Sequence, residues 1–350
     1  MSELAVLTAA PADIARAARA LEQGLLVAFP TETVYGLGAD AVNPQAVAAI
    51  YAAKGRPQDH PVIVHLAPDA ELADWAAEIP AEARQLAAAF WPGPLTMILK
   101  RAAHVPADVS GGQDTVGLRC PSHPVAIALL QAFKGGRGGL AAPSANKFGH
   151  VSPTTAQHVR DEFSGDGGAS SLAFVLDGGA SEVGIESTIV DLSRLATHGP
   201  VLLRPGHISA DAIAAVIDRL PVAADAAAPR ASGTLESHYA PHTPVAMQAS
   251  DELGATLAGA VGAGRKVALI HYADFSVQPH ASVRLPASPA GFAHALYAAL
   301  RAMDGSGAEV ILVEAPPTGP DWLGVNDRLR RAAHGSSGLV HGLLNREAPL

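Results

Sequence analysis

The chain has 350 residues, of which 49% are hydrophobic and 16% charged, and its formal net charge is −9 at pH 7. That length and apolar content suit two domains with cores of their own and exclude a disordered chain. The acidic total argues against a broad nucleic-acid platform, whose affinity comes mostly from Lys and Arg on phosphates, and a lone cysteine, Cys120, rules out an intrachain disulfide or a cysteine-built zinc site.

The first 24 residues read as an amphipathic helix closed by Gly24, without the basic start and unbroken apolar core of a signal peptide. Apolar runs of strand length follow at 25–29, 62–66, 95–100, 116–120, 172–176, 187–192 and 201–204, and helical patterns at 46–53, 81–90, 124–133 and 153–163 lie between them. Ser152 before Pro153 predicts an N-cap and a first turn for the last of these helices. The alternation predicts an α/β domain with a central sheet and leaves the strand directions open. The stretch 221–244 is rich in Ala, Pro and Ser without any period, and reads as a linker or long loop. A second, smaller α/β pattern follows, with strands at 266–271 and 310–314 and helices at 289–303 and near 326–333. The expected division is a domain over 1–220, a linker or lid over 221–243 and a second domain over 244–350. No apolar run approaches the roughly 20 residues of a membrane span, so a soluble, cytoplasmic protein is expected.

Five polar clusters sit at or beside apolar strands. Thr31-Glu32-Thr33-Val34-Tyr35-Gly36-Leu37-Gly38 follows the first strand and suits either a ligand loop or a tight turn whose glycines supply positive φ. Lys54 and Arg56 stand where cations cap a helix C-terminus, or where they would meet triphosphate oxygens. Ser144 and Asn146 lie on a Pro-bounded loop, where they either satisfy their own backbone or serve a nucleotide. Gly184-Ile185-Glu186-Ser187-Thr188 enters one strand, and Arg204 ends another. Arg119, inside an otherwise apolar strand, requires an anionic partner, with a protein carboxylate and a ligand carboxylate equally open. Most of the fifteen histidines are scattered in loops without metal-ligand spacing, while His65 sits at the end of a strand. Gly135-Gly136-Arg137-Gly138-Gly139 is no P-loop and reads as a flexible connector.

The succession PTETVYGLG, KGRP, HPVIVHL, WPGPLTMIL, DTVGLRCP, APSAN, SPTT, VGIESTIVDL and VLLRPG resembles the Sua5/YrdC family of threonylcarbamoyl-AMP synthases in order and spacing, over about residues 10–345. The SHYAP segment, 237–241, with a further domain behind it, is similar to the long Sua5 form. The resemblance implies an α/β fold: a YrdC-like twisted central sheet with flanking helices, and a smaller, Rossmann-like C-terminal Sua5 domain. It implies synthesis of threonylcarbamoyl-AMP and pyrophosphate from L-threonine, bicarbonate or CO2, and ATP, for t6A37 modification of ANN-decoding tRNAs. Separate transfer proteins would receive the intermediate, and stable tRNA binding is not expected.

By position, the resemblance places L-threonine against Thr33, His65, Arg119, Ala142 and Ser187. It places ATP against Arg56, His60, Thr115, Ser144, Asn146, Ser152, Arg204 and Tyr239, with Lys54 and Arg56 stabilising charge. Mg²⁺ would arrive on ATP, with no direct protein ligand. His60 stands where archaeal long forms carry Asn, and its charge varies with pH. SHYAP would act as a lid, bringing Tyr239 to the nucleotide. Two other functions fit less well. An RNA-binding module is disfavoured by the acidic charge and the lack of interleaved aromatics, and a hydrogenase-maturation carbamoyltransferase would carry acylphosphatase-like and zinc-finger regions, absent from this sequence.

Overall fold

The computed structural model describes residues 4–164, 172–335 and 338. The chain forms two compact units, Met1–Phe148 with Ser152–Thr234, and Gly149–Val151 with Leu235–Leu350. Each is described by itself.

The first unit runs β1 (Ala5–Leu7), α1 (Pro11–Glu22), β2 (Leu26–Phe29), β3 (Gly36–Asp40), α2 (Pro44–Lys54), β4 (Ile63–Leu66), β5 (Ala76–Glu78), α3 (Ala81–Phe90), β6 (Leu95–Arg101), β7 (Thr115–Arg119), α4 (Pro124–Ala132), β8 (Gly139–Ala141), α5 (Ala156–Phe163), β9 (Leu172–Leu176), β10 (Thr188–Asp191), α6 (Leu195–His198), β11 (Val201–Arg204), α7 (Ala210–Ile217) and β12 (Val222–Ala223). One mixed sheet carries the order β1-β9-β2-β3-β8-β4-β7-β6-β10-β11-β12, with β5 paired to β6. Strand β4 is parallel to β7, β7 antiparallel to β6, and β6 parallel to β10.

Period-2 alternation splits this sheet between two cores. In β2, Val27 and Phe29 join α1 and α4 in one cluster, while Leu26 and Ala28 join residues of α2, α3, α5 and α7 in the other. Helix α2 starts where the Asn43 side chain accepts from the amides of Gln45 and Ala46, and stops at Gly55, whose φ of 63° lies in the left-handed region.

Several expectations are corrected. Helix α5 begins at Ala156, capped by the Thr155 side chain accepting from the His158 amide, so Ser152 and Pro153 lie before it, outside the helix. Gly36 and Gly38 do not form a positive-φ turn but belong to β3. A Cβ on Gly38 would stand 2.8 Å from the Phe29 ring, so glycine there is a packing requirement. The connector at 135–139 turns through positive φ at Gly135 and Gly136, and its last glycine opens β8 in mid-sheet. The 221–244 stretch includes β12, which pairs with β11, and the compact units divide within it, at Thr234 and Leu235.

The second unit contains β13 (Val245–Gln248), α8 (Ser250–Gly262), β14 (Val267–His271), β15 (Ala281–Arg284), α9 (Pro289–Asp304), β16 (Val310–Glu314) and α10 (Leu323–Ala332). Its four strands are all parallel, in the order β13-β16-β14-β15. Leu253, Leu257 and Ala260 of α8 share a core with Val267, Leu269, Val310 and Leu312. Sequence patterning missed β13, α8 and β15; α8 carries glycines at 254, 259 and 262, which weaken helix propensity.

Candidate active site

The alternation that builds the first unit's core also builds its site. On β4, β7, β6 and β10 one set of side chains, including Val64, Val116, Leu118, Leu95, Met97, Leu99 and Val190, fills the larger core. The alternate set lies on the opposite face: Ile63 and His65, Thr115, Gly117 and Arg119, Thr96 and Ile98, and Ile189. Ile63, Ile98 and Ile189 form a small apolar floor of their own. Gly117 keeps that floor low, since a Cβ there would stand 3.1 Å from Ile98 Cδ1.

At one end of this face lies Arg119, with His65 as its neighbour across the β4–β7 ladder. Arg119 Nη2 donates to Glu32 Oε1 at 2.6 Å, both side chains being only 4% exposed. Its Nε donates to the Gly93 carbonyl at 3.3 Å, and Glu32 Oε2 accepts from the Ser122 amide at 3.1 Å. The charge in the apolar strand thus has a protein partner. Burial and then the Arg119 cation push the His65 imidazole down to about 3, so it is neutral near pH 7. Its Nδ1 is buried without a hydrogen-bond partner among the described residues, and its ring stands edge-on to Phe29 at 6.1 Å. Thr33 is held in a tight turn: Thr31 Oγ1 accepts from the Thr33 amide at 3.2 Å and donates to the Val34 carbonyl at 2.6 Å. The Ala142 amide donates to Ile63 O at 2.9 Å, against the start of β4. Ser187, just before β10, pairs its hydroxyl with that of Thr96 at 2.8 Å.

Arg204 at the end of β11 reaches the same Ser187. Its Nε and Nη2 donate to the Ser187 carbonyl at 3.0 and 2.9 Å, and Nη2 also meets Ser187 Oγ at 3.1 Å. Gly206 permits the close turn behind it, since a Cβ there would be 2.5 Å from the Thr188 amide.

The second group gathers around the end of α2. Lys54 does not cap its own helix: its buried Nζ donates to the Ser144 carbonyl at 2.6 Å and to the Asn146 carbonyl. Burial and then the Arg56 charge hold the Lys54 ammonium well below the ordinary lysine range, with Glu162 and Glu186 opposing. Arg56 Nη2 donates to the Pro61 carbonyl at 2.8 Å and meets Ser232 Oγ at 3.4 Å, while Ser232 O accepts from Arg204 Nη1 at 2.8 Å. Ser232 therefore bridges the two arginines. His60 sits edge-on to Phe148 at 5.4 Å, and partial burial with Arg56 lowers its proton affinity. Thr115 lies buried at the start of β7, and Ser144 bridges to Gly36. Asn146 Nδ2 donates to the Lys147 carbonyl at 2.6 Å, and Ser152 Oγ donates to Glu186 Oε1 at 2.5 Å.

Tyr239 belongs to the second unit. It has a φ of 62° and lies between Tyr297, at 5.7 Å, and the Arg328 guanidinium, 5.5 Å from its centroid. Sequence reading missed Glu32, Thr96, Glu186 and Ser232 as members of these groups. Glu32 and Glu186 were within the motifs, flanked by hydroxyl residues; Ser232 carried no signal. Among the described residues no group of three or more His, Cys, Asp or Glu side chains is placed to hold a metal ion, and no helix is long and apolar enough to cross a membrane.

A family model described as "Telomere recombination", that of the Sua5, YciO and YrdC proteins, matches residues 19–206, more than half of the chain. The chain belongs to the Sua5/YciO/YrdC family. A further model, the C-terminal domain of threonylcarbamoyl-AMP synthase, matches residues 208–334, so this is a Sua5-type member with both domains. The threonylcarbamoyl-AMP synthase of Pyrococcus abyssi is 38% identical over 330 residues, covering 91% of this chain and 93% of that protein. The Bacillus subtilis threonylcarbamoyl-AMP synthase is 39% identical over 342 residues, covering 92% and 93%. The crystal structure of P. abyssi Sua5 complexed with L-threonine superimposes with a TM-score of 0.82 at 37% identity, covering 93% of this chain and 95% of that one.

Proposed function

We propose that this Sua5-family chain makes threonylcarbamoyl-AMP and pyrophosphate from L-threonine, bicarbonate or CO2, and ATP, acting as a nucleotidyltransferase in tRNA t6A37 formation. The observation that carries the reading is the shared sheet face. The same period-2 alternation that fills the core puts Arg119, His65 and Thr115 on one side, above an isoleucine floor, with Ser187 bonded to Thr96 of that face. That the P. abyssi relative was solved in complex with L-threonine supports L-threonine as the amino acid, and family resemblance assigns it to the Arg119 end.

In this mechanism Arg119 and the hydroxyls of Thr33 and Ser187 hold threonine by its polar groups, and neutral His65 adds no second positive charge beside Arg119. The threonine amine attacks CO2 with loss of a proton, or bicarbonate with loss of water, and an oxygen of the resulting carbamate attacks the α-phosphorus of ATP as pyrophosphate leaves. Lys54, Arg56 and Arg204, with Ser144, Asn146, Ser152, Thr115 and His60, would bind the nucleotide. No side chain need bond covalently to substrate; positioning and charge stabilisation carry the rate. This set of cations and hydroxyls fits a polyphosphate, and leaves Mg²⁺ to the phosphate oxygens. The ion would supply charge neutralisation on the leaving pyrophosphate. Tyr239 is assigned to the nucleotide by family resemblance. Partner proteins would pass the threonylcarbamoyl group to adenosine 37.

The test is pyrophosphate release from ATP by the purified chain with Mg²⁺, omitting L-threonine and bicarbonate in turn. Release that needs both supports the synthase. Release indifferent to threonine removes it.

A further inference from the structure

We propose that Glu32 is a positioning residue that presents the Arg119 guanidinium to the carboxylate of the amino-acid substrate; this rests on the threonine reading above. An arginine offers five N–H donors in a planar fork, and it recognises a carboxylate best when one edge of the fork is held and another is left open. Arg119 is held in this way. Nε is tied to Gly93 O and Nη2 to Glu32 Oε1, while Nη1 meets no acceptor among the described residues and is not sealed from solvent.

Glu32 is itself fixed from three directions. Its Oε2 accepts from the Ser122 amide, its backbone carbonyl accepts from the Val183 amide at 2.7 Å, and the Thr31 hydroxyl locks the turn that carries it. It joins three segments bearing residues of the proposed threonine pocket: the Thr33 loop, the end of β7 with Arg119, and the 183–187 approach to Ser187. Glu32 contacts no substrate in this scheme. It sets the angle at which the open edge of Arg119 faces the pocket, and it balances the arginine's charge.

The experiment compares wild type with Glu32→Gln and Glu32→Asp in steady-state pyrophosphate release, with L-threonine and ATP varied separately and L-threoninamide as an alternative substrate. Gln keeps the shape and drops the charge; Asp keeps the charge and retracts it by one methylene. In both variants KM for threonine is expected to rise roughly tenfold, the loss of about one charge-assisted hydrogen bond. kcat at saturating threonine and KM for ATP should stay within about twofold, and the preference for threonine over threoninamide should fall. A structural role alone would lower the melting temperature and the active fraction while leaving KM and the amide preference in place. A threonine KM within twofold of wild type in either variant that folds overturns the proposal, as does an equal loss for ATP and threonine. Should Glu32→Gln not fold, Glu32→Asp decides by the same criteria; failure of both to fold also overturns it, since a positioning residue must be separable from folding. The wild-type omission of threonine is measured first: indifference there removes the synthase reading, whereas a threonine-dependent wild type with unaffected variants removes only the role of Glu32.

Discussion

Taking apart the Arg119–Glu32 pair one side at a time, and then together, tests the electrostatics of the candidate site apart from its chemistry. Arg119→Met leaves the Glu32 carboxylate buried with the Ser122 amide as its remaining side-chain partner. Removing one member of a buried pair costs about 3–5 kcal/mol, because a desolvated charge is left uncompensated. Glu32→Met strands the guanidinium against the Gly93 carbonyl at a similar cost. The double substitution removes both charges and fills the space with apolar side chains, so it should lie within about 1–2 kcal/mol of wild type, giving a coupling of about 4 kcal/mol or more. The assay is urea unfolding in a Trp322→Phe background, where Trp75 and Trp91 report on the first unit and the tryptophan of the second is gone. A double variant destabilised by the sum of the singles, within about 0.5 kcal/mol, would refute the idea that the two charges depend on each other.

Other outcomes follow from the same geometry. Arg56→Ala should lower kcat/KM for pyrophosphate release at least about 100-fold if that guanidinium stabilises the transition state, with an unchanged far-UV spectrum; a near-wild-type rate refutes its role. His65 has a folded pKa of about 3 against about 6.5 unfolded. The unfolded chain therefore takes up its proton first: stability is unaffected above pH 6.5 and falls by up to about 1.4 kcal/mol per pH unit as the pH drops toward 3. His65→Phe should flatten that slope between pH 6.5 and 4 in denaturant titrations, and an unaltered slope counts against the neutral buried imidazole. In the second unit Asp327 accepts from Arg328 and Arg331 at 3.1 and 3.0 Å and from Arg330 at 2.7 Å. Burial raises its pKa, but the arginines outweigh this and hold the carboxyl below the usual range. Its contribution is complete above about pH 4, the unfolded value, and lost as pH falls through the lower folded one. Asp327→Asn, which leaves the fully buried Arg328 without its carboxylate, should cost about 3–5 kcal/mol at pH 7, read from unfolding followed at Trp322; a change below about 1 kcal/mol excludes the network as a stabilising element.

Local pattern determined much of this protein. The period-2 runs of β4, β6, β7 and β10, the helix before Gly24 and the apolar strands β14 and β16 are written in neighbouring residues, because alternation, apolar runs and helix-ending glycines act within a few positions. The motif order also identified the family and most of the residues around Arg119 and Lys54. What the sequence left open was decided by partners far along the chain. Gly38 read as part of a ligand loop or turn, and Gly139 as part of a flexible connector, until the sheet showed them packed in β3 and β8, where Phe29 and Trp75 take the space a side chain would need. The protein partner that Arg119 required proved to be Glu32, 87 positions away. Lys54 turned from a helix cap into a tie between two loop carbonyls some 90 residues distant, 90 to Ser144 and 92 to Asn146. A side chain's charge and size are local properties, but its partner is whatever the folded sheet brings within hydrogen-bonding reach, and strand order is fixed only when the whole core closes.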